Sequence, residues 1–171
     1  MLFKLFNNLQ LSHVLIIFFF IGISALGFAY YMEHFHNLPP CVLCVYQRWV
    51  YFFVIFLSII LLILHQYSER KARTIMLVFS LTFLVGSILA MYHVGVENSW
   101  WTGTESCAAD SEINSGDLDA LRKNLSEKSI TRCDEVLWSL FGISMAGYNF
   151  IISFILFIFS MGYFRNTRNE S

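Results

Sequence analysis

Charge is scarce in this chain of 171 residues: Asp, Glu, Lys and Arg make up 13% of it, against 57% hydrophobic residues. Soluble domains carry about a quarter charged residues, so a water-exposed surface of ordinary composition is excluded. Proline is scarcer still, with two residues, the adjacent Pro39 and Pro40. The net charge of −1 comes with no basic stripe, which excludes a partner held by its phosphate backbone. No internal repeat, phosphate-binding loop or Ser-His-Asp arrangement is present. Cysteine is limited to Cys41, Cys44, Cys107 and Cys133, an even number that leaves no thiol over.

What the chain has instead is long uncharged stretches and 18 Phe, eight Tyr and four Trp. A helix needs about 20 apolar residues to cross the hydrocarbon of a bilayer. Four segments qualify, at about 14–32, 43–64, 74–92 and 144–164, the second with the single charge Arg48. The first lacks a small-x-small cleavage site and is too long for a usual signal peptide, so a retained anchor is expected. The fold class that follows is an all-α membrane protein, one four-transmembrane-helix bundle occupying residues 1–171. Orientation follows from the basic residues. Lys4, Arg70, Lys71, Arg73, Arg165 and Arg168 fall in short segments on one side, predicted to be cytoplasmic together with both termini. The opposite side holds a short loop at about 33–42 and a long one at about 93–143. Up to Leu137 the long loop's four basic residues are diluted by nine acidic ones.

All four cysteines then face the outer side, where disulfides persist in a bacterium. Cys41-Val-Leu-Cys44 follows the two prolines, which stop a helix before them and suit a helix start just after. The motif is predicted to form the first turn of the second span. Residues three apart there have Cβ atoms roughly 5–6 Å apart, close enough to adjust into a bridge. The helix N-terminus favours thiolate over thiol, and Arg48 lies four residues past Cys44 on the same face. A C-x-x-C is also consistent with half of a zinc site or a structural bridge. Zinc would need two further ligands, and Cys107 and Cys133 do not form a second short-spaced pair. Haem attachment is excluded because Val45, not histidine, follows Cys44. A bridge closing so small a loop stabilises little, which favours a redox role.

Arg48 is either a snorkelling anchor or a functional charge. A charge in a span costs about 2.5–3.5 kcal/mol at mid-membrane, and its register with Cys44 favours the functional reading. Cys107 and Cys133 lie in the long loop, a length that usually serves a function. Within it, Leu118, Leu121 and Leu125 share one face of a short amphipathic helix predicted over Asp117–Glu127, lying on the membrane or on the bundle. Trp100, Trp101 and Trp138 suit interfacial anchors. His93 ends the third span, near a cofactor or merely at a wet interface. His13, His34, His36 and His65 suit the surface. Gly22, Gly27 and Gly86 suit helix–helix contacts.

The run Pro40-Cys41-Val-Leu-Cys44-x-Tyr46-x-Arg48 and the stretch Cys133-x4-Trp138-x3-Gly142-x2-Met145 resemble the bacterial disulfide bond formation protein B (DsbB) family, as does the order of spans and cysteines. Position 146 is Ala where some relatives have Pro, and the long loop does not align residue by residue. The resemblance implies a multi-pass inner-membrane thiol:quinone oxidoreductase that reoxidises a periplasmic DsbA-type dithiol oxidase and passes the electrons to a membrane quinone, ubiquinone or menaquinone. It implies disulfides Cys41–Cys44 and Cys107–Cys133, with Cys107 exchanging with the partner. It further implies Cys44 as the thiolate at the quinone ring, Arg48 as the charge stabilising the reduced quinone, and His93 near it. Two other readings compete. One is a thiol–quinone enzyme of the vitamin K epoxide reductase kind, disfavoured because C-x-x-C opens the second span, or a DsbB-like relative dedicated to another thiol substrate. The other is a non-enzymatic four-span scaffold like a tetraspanin, whose Cys-Cys-Gly triplet is absent.

Overall fold

The computed structural model describes residues 10–64, 69–103 and 132–169. Four helices dominate it: α1 (Leu11–Phe35), α2 (Val42–Leu64), α3 (Glu69–Glu97) and α4 (Met145–Asn169). Each is long and apolar enough to cross a membrane, and the chain is a multi-pass membrane protein. The helices run past the uncharged stretches, because a helix need not end where the hydrocarbon does. Glu97, expected in the long loop, therefore sits with His93 on the last turns of α3. Cys107 and the segment Asp117–Glu127 lie outside the described residues, as does His65.

The helices pack through aromatic and aliphatic side chains. Phe18 of α1 is fully buried, and its ring stands 5.0 Å from Phe79, 5.1 Å from Phe83 and 6.2 Å from Phe159. One side chain thus ties α1 to α3 and α4. Small residues allow close approach elsewhere. A Cβ on Gly22 would stand 2.7 Å from Ile55 Cγ1, and one on Gly86 would stand 3.1 Å from Val50 Cγ1. Gly27 departs from expectation: a Cβ there would meet nothing within 4 Å, since it turns away from the bundle.

The two ends of the bundle differ. At one, Arg73 of α3 lies over the Phe164 ring of α4, 5.1 Å from its centroid. At the other, the end of α3 meets the start of α2, where Cys41, Leu43, Val96 and Cys133 form a buried cluster. Arg73 and His93 are 20 positions apart on one helix, about 30 Å at 1.5 Å per residue, the thickness of the hydrocarbon. The helical plan has one exception. Ser139–Leu140 pairs antiparallel with Ile143–Ser144, and the two residues between, Phe141 (φ 51°) and Gly142 (φ 78°), are both left-handed, as a tight primed turn requires. The hairpin leads directly into α4, whose first turn Ser144 caps by accepting the Gly147 N–H at 3.1 Å.

Phe18→Ala should destabilise the bundle by about 2 kcal/mol. That is less than the roughly 3–5 kcal/mol of a water-soluble core, because hydrocarbon rather than water solvates the separated helices. Thermal unfolding in detergent measures it, and an unchanged midpoint would mean that Phe18 does not organise the bundle.

Candidate functional site

Cys41 occupies the N-cap position of α2. Its carbonyl accepts the Val45 N–H at 3.1 Å, and its sulfur accepts the Cys44 N–H at 3.3 Å, the place usually taken by the side-chain oxygen of Ser or Asp. The Cys41 and Cys44 sulfurs share a hydrogen bond across 2.9 Å. The two are a thiol pair here, a short rotation from bridging distance. The hydrogen bond from Cys44, reinforced by His93, holds the Cys41 sulfur below the usual thiol range.

His93 arrives from α3, 52 positions along the chain, with Nε2 3.6 Å from the Cys41 sulfur. Its Nδ1 accepts from Gln47 Nε2 at 3.0 Å, and Glu97 Oε1 stands 3.9 Å from its Nε2. Behind it runs a buried polar chain. Asn149 Nδ2 donates to Gln47 Oε1, Tyr51 Oη donates to Asn149 Oδ1, and Ser153 Oγ lies 3.5 Å from Tyr51 Oη. Each donor has an acceptor, which a buried polar group in an apolar bundle requires. The structure also brings the loop cysteine here. Cys133 is disulfide-bonded and 1% exposed, and its backbone contacts His93. It is flanked by Arg132 and Asp134, whose side chains form a two-pronged ion pair at 3.0 and 2.6 Å.

Arg48 turns toward α1. Its guanidinium meets Glu33 Oε2 at 2.5 Å, the Ala29 carbonyl at 3.5 Å and the face of Tyr30 at 4.8 Å. Cys41, Cys44, Arg48 and His93 all line one cavity of about 640 Å³, whose walls between α1, α2 and α4 are mainly apolar, with Phe20 and Ile21 among them. Gln47, Glu97, Arg132, Glu135 and Asn149 add to its polar lining. A mainly apolar space with a few polar groups in its wall is the usual make-up of a small-molecule site.

Of the cysteines predicted to react, Cys41, Cys44 and Cys133 converge, with His93 at their centre, whereas Cys107 lies outside the described residues. Trp100 and Trp101 are exposed, as interfacial anchors should be, although Trp101 also donates to the Tyr92 carbonyl at 3.0 Å. Sequence reasoning did not single out Glu33, Gln47, Glu97 or Asn149. A usable signal existed for three of them, because Gln47, Glu97 and Asn149 are polar residues on the same ends of apolar helices as the cysteines. Glu33 could be found only by knowing that α1 passes Arg48.

The family model for disulfide bond formation protein DsbB matches residues 12–162. An uncharacterized protein, RP370, of Rickettsia prowazekii (strain Madrid E) is 31% identical over 140 residues, covering 81% of this chain and 79% of its own length. Disulfide bond formation protein B of Aromatoleum aromaticum is 27% identical over 150 residues, 83% of this chain and 88% of the relative. Its counterpart in Histophilus somni is 26% identical over 170 residues, 96% of this chain and 95% of the relative.

The Arg48–Glu33 pair is partly buried, so its removal should cost more than an exposed pair, at about 0.2–1 kcal/mol, and less than a fully buried one, at about 3–5 kcal/mol. Glu33→Gln is expected to destabilise the protein by about 1–2 kcal/mol in chemical unfolding; no measurable loss would mean that Arg48 is satisfied by the Ala29 carbonyl and Tyr30 alone.

Proposed function

The chain belongs to the DsbB family, and from that premise we propose that it is a thiol:quinone oxidoreductase: it reoxidises a periplasmic DsbA-type dithiol oxidase by disulfide exchange and passes the electrons to a membrane quinone. Family membership supports a disulfide-forming membrane protein. The finer reading rests chiefly on one observation, the C-x-x-C pair set in the wall of an apolar cavity while disulfide-bonded Cys133 packs in the same cluster.

The orientation proposed puts the sulfur end at the periplasmic face and both termini in the cytoplasm of a bacterial inner-membrane protein. It draws on the basic residues Lys71, Arg73 and Arg165 at the far end. The loop pair is Cys107–Cys133, with Cys107 meeting the partner's thiolate. One thiolate displaces another at each exchange, so the bridge moves outward to the partner while two electrons move inward. Reduction of the loop pair frees a thiolate to attack the Cys41–Cys44 bridge. The burial of Cys133 and Cys41 in one cluster supports this route. Attack on one sulfur of that bridge releases the other as a thiolate, and a thiolate at Cys41 is stabilised by the start of α2 and by His93.

The cavity fits a quinone by its volume and its mainly apolar walls, with Cys44, Arg48 and His93 as the residues that would hold the head group. Bound there, a quinone supplies a two-electron acceptor that makes the oxidation effectively one-way. Arg48 contributes a fixed positive charge on the wall, and its pairing with Glu33 holds the guanidinium in place.

Cys44→Ser should abolish quinone reduction by the purified protein supplied with a reduced dithiol partner; undiminished turnover would exclude this mechanism. Arg48→Ala should raise the apparent KM for quinone about tenfold, equivalent to the roughly 1.4 kcal/mol of one charge-assisted contact. An unchanged KM and kcat would leave Arg48 as an anchor.

A further inference from the structure

The sequence offers half a zinc site and no visible second half. The fold supplies a third ligand. The ligand atoms of Cys41, Cys44 and His93 all lie within 4.8 Å of one another, although His93 is 52 positions from Cys41. From this convergence we infer that the reduced protein binds one zinc ion through Cys41 Sγ, Cys44 Sγ and His93 Nε2, with a fourth position open to the cavity.

The distances support it. Zinc takes thiolate sulfur at about 2.3 Å and imidazole nitrogen at about 2.0–2.1 Å in a tetrahedron, which sets sulfur and nitrogen about 3.6 Å apart. Cys41 Sγ and His93 Nε2 stand 3.6 Å apart. The same geometry needs the sulfurs about 3.8 Å apart, against 2.9 Å here. A small rotation of Cys44, the less buried of the two, supplies the difference. Two thiolates and an imidazole favour zinc over hard cations such as magnesium or calcium.

The polar chain behind His93 suits the ligand role. A metal on Nε2 requires the ring proton on Nδ1, donated outward to a second partner. Gln47 and Asn149 are amides, and each can present its oxygen or its nitrogen in the same place. Turned over together, they accept the Nδ1 proton at Gln47 Oε1, then pass the donor direction through Asn149 to Tyr51 Oη and on to Ser153 Oγ. Every group keeps a partner in either direction, so the network that suits a proton on Nε2 also suits a metal there.

The balance is simple: one Zn²⁺ enters and the two thiols release their protons, with no electron transferred. The bridge and the ion exclude each other, because both consume the same two sulfurs. Zinc would therefore hold the pair reduced and out of the exchange cycle. The site does not depend on the proposed acceptor or on the dithiol partner.

The test uses the full chain in detergent, free of quinone, with Cys107→Ser and Cys133→Ser so that only the inner pair can chelate. Cobalt(II) is titrated into the reduced protein as a spectroscopic stand-in, and zinc then competes against a chromophoric chelator. The expected result is one ion per chain, thiolate-to-cobalt charge transfer and tetrahedral d–d bands, all absent after oxidation to the Cys41–Cys44 bridge. His93→Ala should weaken zinc at least about 100-fold, and Gln47→Leu about tenfold, the range for partners that orient a ligating histidine. Equal affinity in His93→Ala would overturn the site, reducing it to simple dithiol chelation. Helicity of each variant is checked by circular dichroism. As a second measurement on the chain with all four cysteines, stoichiometric zinc should slow alkylation of Cys41 and Cys44 in the parent protein but not in His93→Ala. Equal rates with and without zinc in the parent would also overturn it. Neither measurement includes quinone or partner, so failure here leaves the proposed electron-transfer activity standing, and the reverse.

Discussion

The meeting of Cys41 with His93 organises this molecule's chemistry. One residue caps the start of α2 and the other rides the last turns of α3, and no local sequence relation connects them. Their contact at 3.6 Å joins a sulfur, an imidazole and, through Gln47, a buried amide chain. If α3 ended at Tyr92, where the uncharged stretch ends, the imidazole would belong to a loop and the sulfurs would have no fixed neighbour. Extending the helix by little more than a turn is what converts a reactive motif into a defined site.

The bundle around this contact satisfies two opposed demands. Hydrocarbon tolerates almost no unpaired polar atoms, yet electron and proton chemistry needs polar atoms close by. Most of the polar side chains are segregated along the helix axes, with Ser58 and Ser80 the exceptions among the described residues, buried without a hydrogen-bond partner. Aromatic packing around Phe18 fills the basic half of the bundle, while Gln47, Tyr51, Asn149 and Ser153 are confined to the sulfur half and hydrogen-bonded to one another. Arg48 follows the same rule on the other side of α2, with its charge answered by Glu33 and its face by Tyr30.

The helical architecture was legible in the sequence because the membrane imposes a coarse rule: long uncharged stretches have few alternatives to being helices. The C-x-x-C at a helix start was legible for an equally local reason, since Pro39 and Pro40 determine where α2 can begin. What could not be read were relations across helices. Glu33, Gln47 and Asn149 look unremarkable one at a time, and their roles exist only once α1, α2 and α4 are side by side. Gly27 shows the converse error, a small residue assigned to an interface on composition although its face of α1 is turned away. The short hairpin before α4 escaped because its turn uses Phe141 at positive φ, where Asn or Gly would have signalled it.

The cavity's position carries a consequence for how any occupant is supplied. Its lining reaches Phe20 and Ile21, near the middle of α1, at a depth where the surroundings are acyl chains. A molecule filling that space is drawn from a two-dimensional solution in the bilayer. Its effective dose is then a mole fraction among lipids, so that diluting the vesicles in buffer leaves occupancy unchanged while adding more lipid lowers it.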